Sequence, residues 1–221
     1  MSDLRGIVTS DNDIIKPIGK VFDTFFCNLT TYVERTGCVD IPHYHNERAT
    51  LSVFSAACWQ CGTIALEEYM TVKGLNEHQR IGRCDLWVLL DENGWEFEAK
   101  QLFPDLAVKD TDVSKVLEQA AEAASHNYDS ECQAGLTFFT PSVPKGTSRL
   151  EVEELLKRLL TIATQRGCHG LAWWFPELLM HRYSPLRRDR SREYIWPGVL
   201  TVVEVVRPLS FSKIHEGDVS I

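Results

Sequence analysis

One short segment, residues 82–101, carries two acidic side chains and a lysine at a spacing that could support metal-dependent hydrolysis. It has the composition of a β-hairpin, with Asp85 on the first arm and Glu98 and Lys100 on the second. The four residues between the apolar arms, 91–94, end in Asn-Gly, which is strong turn chemistry. A loop with an even number of residues would place Asp85 on the same face as Glu98 and Lys100.

Two carboxylates beside an apolar core are a costly arrangement unless a cation or an ion partner compensates. Residues 86–90 are continuously apolar, which is typical of a strand covered on both faces, so we expect Asp85 at the mouth of the core. Hard cations such as Mg²⁺ are held through one or two carboxylates, with water and substrate phosphate completing the shell. Lys100 would then contact the attacking water or the developing phosphate charge. The alternative is a structural ion pair of Asp85 or Glu98 with Lys100.

These residues resemble the active-site signature of the PD-(D/E)-X-K nuclease superfamily. Asp85, Glu98-x-Lys100 and the β-turn-β between them carry the resemblance, which extends over residues 46–145. The preceding Gly82-Arg83-Cys84-Asp85 is closest to the Gly-x-x-Asp variant of RecB-like exonucleases. The branch stays open, because Cys84 replaces the usual Pro and the following helix lacks a clean Gln-x-x-x-Tyr.

The resemblance implies an α/β fold with a restriction-endonuclease-like core, in which helices flank a central mixed β-sheet. It also implies an enzyme that uses Mg²⁺ or Mn²⁺ to hydrolyse nucleic acid, expected to be DNA, with a metal-activated water. Asp85, Glu98 and the backbone carbonyl of Ala99 would hold the metal. Lys100 would deprotonate or position the water, and Gln101 would orient the site from its edge.

The family places a further acidic residue on the helix that precedes the sheet, and Glu67 and Glu68 are the candidates. On a helix from about residue 47 to 72, apolar side chains recur every three or four residues. That stripe consists of Leu51, Phe54, Cys58, Cys61 and Ala65. Glu68 continues the stripe, so we expect it to be a catalytic and metal-binding residue. Glu67 is the second choice, and a solvated charge in the last helical turn is the alternative for either.

The chain is expected to be a single domain, 1–221, with three parts. They are an N-terminal helical extension over 1–45, the nuclease-like core over 46–145 with the hairpin at 82–101, and a C-terminal helix and strands over 146–221 that complete the sheet. The periodicity predicts helices over 14–36, 113–128 and 149–166, and strands over 135–140, 170–175 and 198–206.

The charge balance is acidic, with 31 Asp and Glu against 23 Lys and Arg and a formal net charge of -8. Dedicated nucleic-acid binders tend to be basic, so binding would require one local positive groove. The best candidates are the arginines of one segment, which could grip phosphates. They are Arg182, Arg187, Arg188, Arg190 and Arg192. The alternative is a solvated loop between two late strands.

Composition predicts a cytoplasmic protein without a membrane partner. The 221 residues are 44% hydrophobic, with no apolar run long enough to span a bilayer and no N-terminal signal sequence. Seven scattered cysteines fit a reducing compartment. Cys58 and Cys61 form a Cys-x-x-Cys that raises a zinc hypothesis, with His43 and His45 among the loosely spaced ligands upstream. The alternative is two small core residues on a helix.

The main rival function is a non-catalytic member of the same fold that works as a binding or assembly module for a protein partner. The acidic balance favours it, whereas intact Asp85, Glu98 and Lys100 disfavour it. A third hypothesis is a zinc-stabilised domain unrelated to nucleases. If the protein cuts both strands of a duplex, a homodimer is expected.

Overall fold

The computed structural model of the protein describes residues 3–11, 15–74, 79–128, 130–180 and 194–207. The elements, in chain order, are β1 (Leu4–Thr9), α1 (Ile18–Arg35), α2 (Pro42–His45), α3 (Glu47–Gln60), β2 (Ile64–Lys73), β3 (Arg80–Leu90), β4 (Asn93–Leu102), α4 (Asp110–Ser125), β5 (Cys132–Phe139), β6 (Val143–Pro144), α5 (Arg149–Arg166), β7 (Gly170–Phe175), α6 (Glu177–Met180), β8 (Tyr194–Ile195) and β9 (Val199–Arg207). Among these helices, none has both the length and the apolar character that crossing a bilayer requires.

A seven-stranded mixed sheet organises the described residues, with strand order β1-β7-β9-β5-β4-β3-β2. β4 and β5 are parallel and are connected through α4, whereas the other neighbouring strands are antiparallel. Side chains of β7 alternate between two cores. Ala172 and Trp174 pack with α1 and α3, and Leu171 and Trp173 pack with α5 on the opposite face. The predicted α/β class with a mixed central sheet flanked by helices is confirmed.

Local sequence signals explain where the main helices begin and how closely they pack. α3 follows Asn46, whose side chain accepts a hydrogen bond from the Ala49 N–H, as expected for an N-cap. α5 starts with a capping box formed by Ser148 and Glu151. α4 lies directly on β5 because Gly135 has no side chain, and a Cβ there would be 2.7 Å from the backbone nitrogen of Ala121.

The N-terminal region differs from the predicted helical extension. β1 pairs antiparallel with β7, so residues before α1 belong to the central sheet. β1 is short, and its Gly6 leaves room for the Trp173 side chain. The helix predicted over 14–36 is present as α1, and its apolar stripe is buried as expected.

The helix predicted over residues 47–72 is wrong in its second half. α3 ends at Gln60, and Gly62 follows with a φ of +83°, a left-handed conformation that favours glycine after a helix. The chain then enters β2, whose β-branched and aromatic residues suit a strand. Glu67 and Glu68 therefore lie on an edge strand and not on a helix.

The predicted hairpin is formed by β3 and β4. Leu90 pairs with Asn93, so the loop contains an even number of residues, Asp91 and Glu92. The apolar run of β3 is buried on only one face, which corrects the expectation of a strand covered on both sides. Trp87 and Leu89 on the other face line an open cleft of about 380 Å³.

Candidate functional site

The site lies where β3 separates from β4. The backbone pairing between these strands ends at Leu86 and Phe97. Before that point β3 stays paired with β2, while β4 continues alongside β5 as far as Leu102. The backbone of β4 from Glu98 to Leu102 thus faces a gap on the side that β3 has left. A backbone edge of this kind needs other hydrogen-bond partners.

Side chains supply those partners. At the point of separation, the Cys84 thiol donates to the Phe97 carbonyl over 3.2 Å, and the Ala99 N–H donates to Oδ2 of Asp85 over 2.8 Å. The ammonium group of Lys100 donates to the Ala99 carbonyl over 2.6 Å. Asp85 of β3 and Lys100 of β4 therefore both contact the backbone of Ala99 at the point where the two strands separate.

Glu47 joins this group and was missed by the sequence argument. It occupies the first turn of α3, and the backbone N–H of Gln101 donates to its carboxylate. Burial raises the pKa of Glu47; the positive charge of Lys100 opposes the rise and the negative charge of Asp85 adds to it. The sequence signal for Glu47 was its place directly after the N-cap residue Asn46, which puts its carboxylate at the start of α3.

Glu98 lies at the same edge but is held by other groups. Its Oε1 accepts hydrogen bonds from Lys73 Nζ at 2.5 Å and from Asn127 Nδ2 at 3.0 Å. Burial raises the pKa of Glu98; Lys73 and Asn127 lower it and the charge of Asp85 raises it further. Lys73, which the sequence argument did not consider, is thus the immediate cation partner of the predicted metal ligand.

Gln101 connects the site to its surroundings. Its amide nitrogen donates to the His43 carbonyl at 2.8 Å and to Thr140 Oγ1 at 3.1 Å. Its amide oxygen accepts from Thr50 Oγ1 at 3.0 Å. Because His43 lies on α2 and Thr50 on α3, Gln101 ties the helix that carries Glu47 to β4.

Glu68 does not lie where the sequence argument expects it. It is on β2 and forms ion pairs with Arg48 at 2.7 Å and Arg83 at 3.0 Å. Its φ of +53° is left-handed, an uncommon conformation for a residue with a Cβ. The placement of Glu68 on the preceding helix is therefore wrong, and the acidic residue on that helix is Glu47. Glu67 is an exposed residue on the same strand.

No three His, Cys, Asp or Glu side chains within the described ranges are close enough together to form a metal-binding group. The oxygen donors gathered at the β4 edge are the carboxylates of Glu47 and Asp85 and the carbonyl of Ala99. The contacts of Cys58 and Cys61 give no support to the zinc hypothesis. Burial raises the pKa of Cys58 to about 12, and the thiol of Cys61 bonds to Thr24 on α1.

The predicted arginine segment lies outside the described residues, and with it Arg182, Arg187, Arg188, Arg190 and Arg192. No protein-family model matches the chain, and no curated protein or solved structure matches it.

Proposed function

We propose that the protein is a metal-dependent phosphodiesterase of the PD-(D/E)-X-K type, with a restriction-endonuclease-like core, that hydrolyses nucleic acid, with DNA as the expected substrate. One observation supports this above the others. Where β3 leaves β4, Asp85 accepts a hydrogen bond from the Ala99 N–H and Lys100 donates one to the Ala99 carbonyl. The Glu47 carboxylate accepts from the Gln101 N–H, two residues further along the same edge of β4. A purely structural ion pair would not require two carboxylates from separate elements at an open backbone edge.

The donor set fits Mg²⁺ or Mn²⁺. Hard cations take carboxylate and carbonyl oxygens and often bind through only one or two carboxylates. Asp85, Glu47 and the Ala99 carbonyl are such donors, and the raised pKa of Glu47 reflects burial that a nearby cation would compensate. When bound, the metal would activate water and neutralise charge on the phosphate.

The protein groups have separable roles in this proposal. The Ala99 N–H fixes the carboxylate of Asp85, so one metal ligand is oriented before substrate arrives. Glu98 would be a metal ligand in addition to its hydrogen bonds with Lys73 and Asn127. Glu47 takes the place that the sequence argument gave to Glu68.

Lys100 supplies a positive charge at the site. Its ammonium group lies at the Ala99 carbonyl, and its charge opposes the rise in the Glu47 pKa. A cation in this position can hold the attacking water or an oxygen of the scissile phosphate as negative charge develops there. Its loss should lower the cleavage rate by about 10²–10³-fold, the usual effect of removing one such group.

The test is cleavage of plasmid and linear DNA with Mg²⁺ or Mn²⁺ by the wild type and by Asp85→Ala, Lys100→Ala and Glu47→Gln. All three variants should lose most activity. Glu67→Gln is the matched control, because Glu67 is an exposed glutamate on neighbouring β2. Absence of cleavage by the wild type, or undiminished cleavage by the three variants, rejects the proposal.

A non-catalytic binding or assembly module is the second candidate. The observation in its favour is the engagement of Glu98 Oε1 by both Lys73 and Asn127, which suits a stable structural pair. Calorimetric titration with Mn²⁺ distinguishes the two. An active site should bind Mn²⁺ in the wild type and lose that binding in Asp85→Ala, whereas a module without a metal site should give no heat that depends on Asp85.

A further inference from the structure

Two arginines flank the candidate site and share one carboxylate. Arg48 follows Glu47 on α3, and Arg83 lies two residues before Asp85 on β3. Alternate residues of a strand point to one face, so Arg83 and Asp85 share a face of β3. Each guanidinium contacts a different oxygen of Glu68, Arg48 at Oε1 over 2.7 Å and Arg83 at Oε2 over 3.0 Å.

Stability alone gives little reason for this arrangement. The arginine side chains are 70% and 66% exposed, and exposed ion pairs typically contribute about 0–1 kcal/mol. Meanwhile Glu68 has a φ of +53°, and such backbone conformations persist at sites where geometry is functionally constrained. Glu68 orients the guanidinium groups of Arg48 and Arg83, and its single negative charge cannot neutralise both of them.

The remaining charge and donors suit a phosphodiester. Glu68 offsets one of the two arginine charges, so these three side chains together keep one positive charge. Guanidinium groups match phosphate oxygens with paired N–H donors, and the exposed side of each group faces solvent. Lysine or a single arginine would bind phosphate with less control of its position.

We propose that Arg48 and Arg83 clamp a backbone phosphate of the nucleic-acid strand next to the scissile phosphate, and that Glu68 sets the direction of both guanidinium groups. This inference rests on the proposed nuclease function for the identity of the ligand. Arg48 and Arg83 bind the phosphate, and Glu68 is a positioning residue. The clamp places the scissile phosphate in front of Lys100.

Binding can be measured without cleavage. Fluorescence anisotropy with a labelled DNA duplex in EDTA, from about 50 to 200 mM salt, reports phosphate contacts through the slope of log K against log salt. The Arg48→Gln/Arg83→Gln double variant should bind about tenfold or more weakly at low salt and have a slope smaller by about one to two. Arg158→Gln is the matched control, because Arg158 forms an exposed ion pair with Asp110 on another part of the surface.

Glu68→Gln tests orientation separately from charge. The variant keeps a side chain of the same length but removes a negative charge, so DNA should bind at least as tightly as to the wild type. Cleavage at saturating DNA should nevertheless fall, because the arginines are no longer held in one direction. A merely structural role for Glu68 would lower the thermal stability and leave the cleavage rate of the folded protein unchanged.

The outcomes separate the clamp from the catalytic proposal. Arginine-dependent binding without metal-dependent cleavage would retain phosphate binding by Arg48 and Arg83 and reject both the nuclease and the placement of a scissile phosphate. Cleavage by the wild type together with wild-type binding by the double variant would reject the clamp and retain the nuclease. Unchanged cleavage at saturating DNA in Glu68→Gln would overturn the positioning role. Near-identical circular dichroism spectra of all variants establish that folding is not the cause.

Discussion

The Asp85 carboxylate accepts a hydrogen bond from the Ala99 N–H at 2.8 Å, immediately beyond the last backbone pair of β3 with β4. A side chain thus replaces a strand at the place where the sheet opens. The same carboxylate satisfies a backbone donor and contributes to the cluster with Glu47 and Lys100. Different substitutions of Asp85 can therefore separate its effect on stability from its proposed effect on cleavage.

Asp85→Asn and Asp85→Ala should have different effects on stability and the same effect on cleavage. Asparagine keeps an oxygen acceptor for the Ala99 N–H, so its unfolding free energy in urea should stay close to the wild-type value. Alanine leaves that donor unpaired, which should cost about 1–3 kcal/mol. Both should lose cleavage, because a neutral side chain is a poor ligand for Mg²⁺. Retained cleavage in Asp85→Asn would contradict the role of the carboxylate.

Lys73→Met should destabilise the protein in a way that depends on pH. The aliphatic part of Lys73 packs over Gly82, and methionine keeps much of that contact. Its ammonium group pairs with buried Glu98, and breaking a buried pair by removing one partner costs about 3–5 kcal/mol at neutral pH.

The sign follows from the raised pKa of Glu98, whose first cause is burial. A carboxyl with a folded pKa above its unfolded value favours folding below the unfolded value, and that contribution is lost as pH rises through the folded pKa. Removing Lys73 raises the folded pKa further. Urea denaturation should therefore show a large deficit for Lys73→Met at pH 8 and a smaller one near pH 4.5. Adding Glu98→Gln should recover much of the deficit at pH 8, and failure to do so would refute the coupling.

Gln101→Leu should lower both stability and cleavage rate. Leucine fills similar space but leaves the His43 carbonyl without the amide donor, which should cost about 1–3 kcal/mol. It also frees the start of α3, so Glu47 should lose its fixed position beside β4. Thr50→Val removes one contact of Gln101 and is the graded control. Urea denaturation and cleavage at saturating DNA measure the two effects, and wild-type stability in Gln101→Leu would contradict the positioning role.

The hairpin was predictable because its signals are local. Alternating or continuous apolar residues define both strands, and the turn residues of 91–94 mark the reversal between them. The loop is shorter than that segment, because Asn93 and Gly94 already belong to β4. The loop of two residues then fixed which side chains of β4 lie near Asp85. α5 was predictable to the residue for the same reason, since Ser148 and Gly167 mark both of its ends.

The acidic residue on the preceding helix was not predictable by the same method. Cys61 and Ala65 happen to continue the spacing of the α3 stripe, so helical periodicity runs on into β2. Gly62 was the local signal against it. Once the helix ends at Gln60, its start rather than its end faces the site, and that choice depends on the tertiary packing of α3 on β4.

The splitting of β3 from β4 was also beyond the sequence argument. Strand composition does not reveal that Cys84 and Asp85 take over the hydrogen bonds of a departing strand. Nor does it show that Lys73 returns from β2 to reach Glu98. Both depend on contacts between residues far apart in the sequence, and the left-handed Glu68 within β2 is part of the same distortion.

His43 should make the protein sensitive to acid. Its ring is fully buried against Trp174, with ring centroids 6.1 Å apart. Burial lowers the pKa of His43 from 6.5 to about 4, and the nearby backbone of Trp196 opposes the shift. The folded state therefore resists protonation that the unfolded state accepts.

A depressed folded pKa gives stability that is present above the unfolded value and lost as pH falls through the folded value. Between pH 7 and pH 4 the wild type should lose about 3 kcal/mol through His43. His43→Leu should lack this part of the acid dependence, because leucine has no proton to bind. His126→Leu, at an exposed position, is the control and should follow the wild type. If the unfolding free energies of the wild type and His43→Leu, measured in urea, fall by the same amount between pH 7 and pH 4, the buried ring is not the acid-sensitive group.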